Sequence, residues 1–278
     1  MGLLSELKLA VPWGHIAAKA WGSLKGPPVL CLHGWLDNAN SFNRLIPLLP
    51  QDFYYVAMDF GGHGLSSHLS PGFPYYSQDF VCQIRRVAAA LKWNRFSLMG
   101  HSFGGTEMEH LLTYRRKAME HTLQVEAATK PSSVVSPEEM LQRFLKNNPH
   151  VGEECGKLLL ERGTTQVATG LMLNRDRRIT LPEHCFDFIS RELFAHAIRK
   201  LQAHVLHIKA LQGFYNVRRV NDSDKETMLF LIGVLKSVLK EQYQFVEVPG
   251  NHYIHMNKAH HVAPIISAFL QSQESPGS

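Results

Sequence analysis

The order of apolar and amphipathic segments predicts an α/β fold, a mostly parallel sheet flanked by helices on both faces. Three observations carry that expectation. Short apolar runs at 28–32, 53–58 and 96–99 end at His33-Gly34, Asp59 and Gly100, as buried parallel strands do. Between the last two, residues 75–93 repeat apolar side chains at helical spacing (Phe80, Ile84, Val87, Ala88, Leu91). A long helix-rich stretch then separates these strands from two more near the C-terminus.

Taken in order, residues 7–21 alternate loosely around Pro12-Trp13-Gly14 and predict an opening hairpin. Residues 41–49 read as a short helix stopped by Pro50. After the strand 96–99, residues 107–127 have helical periodicity. Ser136-Pro137-Glu138-Glu139 supplies an N-cap, a proline at the first helical position and a capping-box glutamate. Helical patterns continue over 152–162 and 182–200. Val167 to Leu173 has strand-forming residues, but Gly170 and the surrounding helices argue against a strand. Strand character returns at 204–209, followed by a helix at 225–242, a strand at 244–248 and a helix at 261–270. The expected division is therefore a core in two pieces, 1–105 and 201–278, with a helical lid at 106–200.

At 278 residues the chain fits one domain, and 45% apolar with 19% charged residues is ordinary for a globular protein. The net charge of +5 is mild. Its basic clusters, Arg85-Arg86, Arg115-Arg116-Lys117, Arg175 to Arg178 and Arg218-Arg219, are dispersed, whereas a nucleic-acid binder concentrates charge on one stripe. The four cysteines, Cys31, Cys82, Cys155 and Cys185, form no C-x-x-C pair and read as reduced, packed thiols. No signal-peptide pattern opens the sequence, and no apolar run approaches the ~20 residues of a membrane span. A cytoplasmic protein without metal or cofactor is the expectation.

Gly100-His101-Ser102-Phe103-Gly104 is G-x-S-x-G between an expected strand and an expected helix. In that setting the serine occupies a tight, strained turn, and the flanking glycines make room for strand and helix. Its Oγ then projects from the carboxyl end of the sheet. His33-Gly34-Trp35 follows an earlier strand, where acyl-transfer chemistry needs a second oxyanion donor. The backbone N–H groups of Trp35 and Phe103 are the candidate donors, worth about 3–4 kcal/mol each. Asp59 to Ser66 carries three glycines, and its expected role is to organise the neighbouring loop.

His252 is the candidate base, because Pro249-Gly250-Asn251-His252 follows the last strand. His255 is the alternative three residues on. A working imidazole predicts rates that rise with pH through a pKa near neutrality. The acid partner is not evident: the loop after the strand 204–209 reads Ala210-Leu211-Gln212-Gly213-Phe214-Tyr215-Asn216. Asn216 would stabilise an imidazolium poorly. Asp222 and Asp224 are the nearest carboxylates, and a helix cap is an equal reading of Asp222. An aspartate nucleophile, as dehalogenation requires, is absent from the elbow.

From Leu7-Lys8-Leu9-Ala10-Val11-Pro12-Trp13-Gly14-His15 through Gly100-His101-Ser102-Phe103-Gly104-Gly105 to Pro249-Gly250-Asn251-His252, the chain resembles the α/β-hydrolase superfamily over nearly its whole length. The resemblance implies an eight-stranded sheet and a helical lid between strands six and seven. It also implies Ser102 as nucleophile, His252 as base, and cofactor-free hydrolysis of an ester or related small acyl substrate. One departure stands out. In the family, Gly105 leads into a helix and strand six before the lid. Here Gly105-Thr106 passes directly into lid-like Glu107-Met108-Glu109, so roughly thirty residues are missing, where a parallel crossover alone takes a dozen or more. A catalytically impaired hydrolase-fold protein is the alternative this implies.

Overall fold

The computed structural model describes residues 5–102, 124–125, 127, 133–180, 191–213 and 222–273. The opening hairpin forms as expected, with β1 (Ser5–Val11) antiparallel to β2 (Gly14–Gly22). β3 (Pro28–Leu32) pairs in parallel with both β4 (Tyr54–Met58) and β5 (Ser97–Gly100), and β2 joins β4 antiparallel. The spatial order is β1-β2-β4-β3-β5. Helix α1 (Ser77–Ala90) carries the chain from β4 to β5.

Strand periodicity divides the core cleanly. Leu30, Val56 and Met58 face one cluster with Ile16, Phe80 and Val87, while Val29, Cys31, Tyr55 and Ala57 face the other with Phe42 and Ile46. On β3 and β4, Val29, Leu30 and Val56 are fully buried, each apolar side chain of that size contributing about 1.5–3 kcal/mol. The helix expected over 41–49 is instead two 3₁₀ turns, Ala39–Phe42 and Ile46–Leu48. Pro47 cannot donate a backbone hydrogen bond, and the Asn38 side chain accepts from the Asn40 N–H to close the first turn tightly.

The stretch expected to form the lid contains α2 (Pro137–Asn147), α3 (Glu153–Gly163) and α4 (Arg191–Arg199). Ser136 caps α2 by accepting from the Glu139 N–H, as its sequence suggests. Of the helices expected over 107–127 and 182–200, residues 103–123 and 181–190 lie outside the described residues. That stretch is not wholly helical. β6 (Thr164–Val167) and β7 (Gly170–Leu173) form an antiparallel hairpin, contrary to the reading of that segment. Gly170 is what permits it: its φ is +148°, and a Cβ there would sit 2.3 Å from the Val135 carbonyl oxygen. A buried ion pair ties α3 to the turn after β4, with Arg162 Nε donating to both oxygens of Asp59 at 2.9 and 3.0 Å. Asp59 also accepts from the Ala39 and Leu65 N–H groups, which is the organising role its loop suggested.

The C-terminal strands β8 (Val205–Gln212) and β9 (Tyr243–Asn251) pair in parallel, joined by α5 (Asp222–Leu239). They do not continue the larger sheet. Among the described residues no strand pairs with the outer edge of β5, and β8 and β9 form a sheet of their own. Exposure follows: Leu98 on β5 is 59% exposed, whereas Val29 and Leu30 beside it on β3 are completely covered. Packing bridges the break instead of a hydrogen-bonded ladder. Val248 of β9, Ile254 of the short α6 (Ile254–Asn257), and Val262 and Leu270 of α7 (Ala259–Ser272) bury against the same cluster as Val29 and Phe42. Met99 and Ile208, one from each side of the break, both pack on that cluster. No helix among the described residues is long and apolar enough to cross a membrane.

Candidate active site

Ser102 follows β5 with a φ of +55°, a left-handed conformation that non-glycine residues hold at a cost of about 1–3 kcal/mol. The register sets its neighbours. Leu32 of β3 faces Gly100 of β5, and the His101 N–H donates to the Leu32 carbonyl at 3.0 Å. The turn after β3, His33-Gly34-Trp35, therefore lies beside the turn bearing Ser102. His33 is a structural pin: its ring Nδ1 donates to the Gly34 carbonyl, and its Nε2 accepts the Phe60 N–H. Trp35 packs its indole against His63 and Phe80. Phe103, the other candidate oxyanion donor, lies outside the described residues.

From the far side of the break, His252 brings its Nε2 to 2.9 Å from Ser102 Oγ. The loop that carries it is held at several points. The Asn251 and Asn257 amides both donate to the His150 carbonyl, at 2.8 and 2.7 Å. The Gly250 N–H donates to Gln212 Oε1 at the end of β8, and Tyr253 Oη donates to Asp37 at 3.2 Å. Burial is the main influence on the His252 ring, pushing its pKa down to about 4, with His101 and His150 lowering it further and Asp37 opposing them. This corrects the near-neutral value that the residue type alone suggests. At neutral pH the ring is a free base, and in the tautomer that carries its proton on Nδ1 the Nε2 accepts from the Ser102 hydroxyl.

His255, the alternative base, is placed elsewhere. It is buried, its Nε2 lies 2.8 Å from Ser41 Oγ, and its ring packs on His101 at a tilt of 38° with centroids 3.9 Å apart. Asp222 and Asp224 fall in the first turn of α5, and Asn216 lies outside the described residues. Two residues that sequence reasoning passed over also converge here. His101 Nε2 lies 2.9 Å from the His252 carbonyl oxygen, and His101 Nδ1 lies 3.7 Å from Asp37 Oδ2. His101 was visible only as the variable position of G-x-S-x-G. Asp37 sits in no motif, and only the fold brings it to the site.

Comparison with known proteins agrees with this architecture. A family model described as the alpha/beta hydrolase fold matches residues 27–153. Serine hydrolase-like protein 2 of Homo sapiens is 65% identical, covering 97% of this chain and 95% of its own. A serine hydrolase-like protein of Mus musculus is 62% identical, covering 98% and 97%. Among solved structures, a hypothetical protein from Pseudomonas aeruginosa superposes with a TM-score of 0.80 at 27% identity, covering 96% of this chain and 99% of that one. Fold and relatives together define a hydrolase-fold protein. The chain belongs to the α/β-hydrolase family, within its serine hydrolase-like proteins.

The same alignments bear on the interrupted sheet. The alignment to the human relative runs over 299 residues, whereas 97% of this 278-residue chain is only about 270. Roughly thirty positions of the relative therefore face no residue here, ample for a strand and the dozen or more residues of its parallel crossover. That is the size of the segment expected to be missing after Gly105.

Proposed function

We propose that this chain is a serine hydrolase that cleaves an ester or related acyl bond through an acyl-enzyme on Ser102. One observation carries the reading: a serine held at φ +55° with a free-base imidazole nitrogen 2.9 Å from its oxygen. In the first step Ser102 Oγ attacks the substrate carbonyl carbon while His252 Nε2 takes the hydroxyl proton. The carbonyl oxygen becomes an oxyanion, met by the backbone N–H groups of Trp35 and Phe103. His252 returns its proton to the departing alcohol. Water, deprotonated by the same nitrogen, then hydrolyses the acyl-enzyme and restores Ser102. No step calls for a cofactor. Residues 106–200 form the lid over a core made of 1–105 and 201–278, and the substrate is a small acyl compound.

A second reading, a hydrolase-fold protein of weakened chemistry, is favoured by the interruption between β5 and β8 and by the weak basicity of His252. A base of so low a pKa gives little driving force for proton removal from a serine. Acid quenching during turnover of a short p-nitrophenyl ester separates these outcomes. An acyl adduct on the peptide containing Ser102 is expected. Hydrolysis without any such adduct would remove the acyl-enzyme from the mechanism. Turnover below about 1 s⁻¹, the lower end of ordinary enzymes, would favour the weakened form.

A further inference from the structure

We propose that Asp37 and His101 are positioning residues for the Ser102–His252 pair, Asp37 acting through the His101 ring that holds the backbone of His252. The proposal rests on the reading of Ser102 and His252 as the reacting pair, and it adds how that pair is aligned across an interrupted sheet.

The geometry fixes the direction of each contact. A carbonyl oxygen only accepts, so His101 Nε2, 2.9 Å from the His252 carbonyl, carries a proton and donates it. His101 is itself anchored by its own N–H on Leu32, the last residue of β3. One ring thus spans from the five-stranded sheet to the loop bearing the base, across the place where no described strand connects them. Behind the ring, His101 Nδ1 faces Asp37 Oδ2 at 3.7 Å, with the two side chains 12% and 4% exposed. Neither of these two buried atoms has a hydrogen-bond partner. Buried polar atoms left unpaired are costly, and a hydrogen bond between the two requires a proton on Nδ1 as well as on Nε2.

One further contact ties the carboxylate to the base loop. Tyr253, the residue after His252, donates its hydroxyl to Asp37 Oδ1 at 3.2 Å. Asp37 therefore reaches the base loop twice, through the neighbouring tyrosine and through His101. Gly34 makes the approach sterically feasible: a Cβ there would lie 2.9 Å from His101 Nδ1 and 3.0 Å from Asp37 Oδ2. The glycine of His33-Gly34-Trp35 thus keeps open the space where the acid meets the ring. On the opposite side His255 packs against His101 and is itself held by Ser41. The titratable groups around His252 are then His101, His150, His255, Tyr253 and Asp37, of which Asp37 supplies the carboxylate that favours a protonated His252.

The test is the second-order rate at which a fluorophosphonate probe labels Ser102, measured from about pH 3 to 8 alongside thermal melting. D37N is expected to slow labelling about ten- to a hundredfold, the scale of a misplacement near 1 Å. It should also move the acid limb of the profile to lower pH, because the charge supporting His252 protonation is gone. Asp37→Glu should recover most of the rate, since it restores a carboxylate. D37N that labels at the unaltered rate with an unmoved limb would overturn the positioning role while leaving Ser102 and His252 in place. So would a loss that follows melting temperature alone and is not recovered by Asp37→Glu. An unsubstituted chain that takes no label overturns the hydrolase reading itself, and the positioning role with it.

Discussion

Replacing His252 with alanine is expected to lower kcat/KM for a short ester by about a thousandfold or more, whereas His255→Ala changes it by less than tenfold. The asymmetry follows from what each ring touches. His252 Nε2 reaches Ser102 Oγ, and without it nothing removes the serine proton. His255 instead holds Ser41 and supports His101 from behind. Its removal leaves a cavity and an unpaired hydroxyl, a loss of about 2–3 kcal/mol that appears in the melting temperature. The pH profile carries the same assignment. Free-base imidazole is the working form, and burial holds the His252 pKa at about 4. The rate should therefore stay level through neutral pH and fall as the pH drops through about 4. A limb near neutrality, or a larger activity loss for His255→Ala than for His252→Ala, would assign the base wrongly.

The second large effect concerns the break in the sheet. Inserting the corresponding thirty-odd residues of a close relative after Gly105 is expected to raise both melting temperature and esterase rate. As the chain stands, β5 and β8 each offer an edge that no described strand pairs, and Leu98 lies 59% exposed on one of them. A strand between them would pair both edges and cover that side chain. A net gain of about 3 kcal/mol, modest for such an addition, corresponds to roughly 6–12 °C in a chain of this size. The rate should rise because β8 and β9 would then hold His252 by a continuous ladder, in place of packing through α7 and the His101 contact. An unchanged melting temperature and rate would mean that packing already secures the C-terminal strands fully.

Much of this was readable in the residues. β3, β4 and β5 are short apolar runs whose alternation survives as two core faces, and the hairpin of β1 and β2 announces itself through Pro12-Trp13-Gly14. Ser102 and His252 stand in local motifs at strand ends, so motif and position could nominate them, and the structure places their side chains 2.9 Å apart. What escaped depends on contacts between distant segments. The 3₁₀ turns at 39–48 are set by Pro47 and the Asn38 side chain against a helical pattern. The 164–173 hairpin hinges on one glycine packed against Val135. The depressed basicity of His252 comes from burial and from His101 and His150, 151 and 102 residues away in the sequence. Asp37 shows nothing in sequence to mark it, because its partners His101 and Tyr253 arrive from other strands' ends.

On this reading Ser102 and His252 form a working pair although no described strand pairs the outer edge of β5. Intact-mass measurement after fluorophosphonate treatment tests it most directly, using this chain, Ser102→Ala and His252→Ala in parallel. The account predicts one added probe mass on the unsubstituted chain, none on Ser102→Ala, and labelling slowed by orders of magnitude on His252→Ala. An unsubstituted chain that gains no mass, or a Ser102→Ala chain labelled as fast as the original, would contradict it.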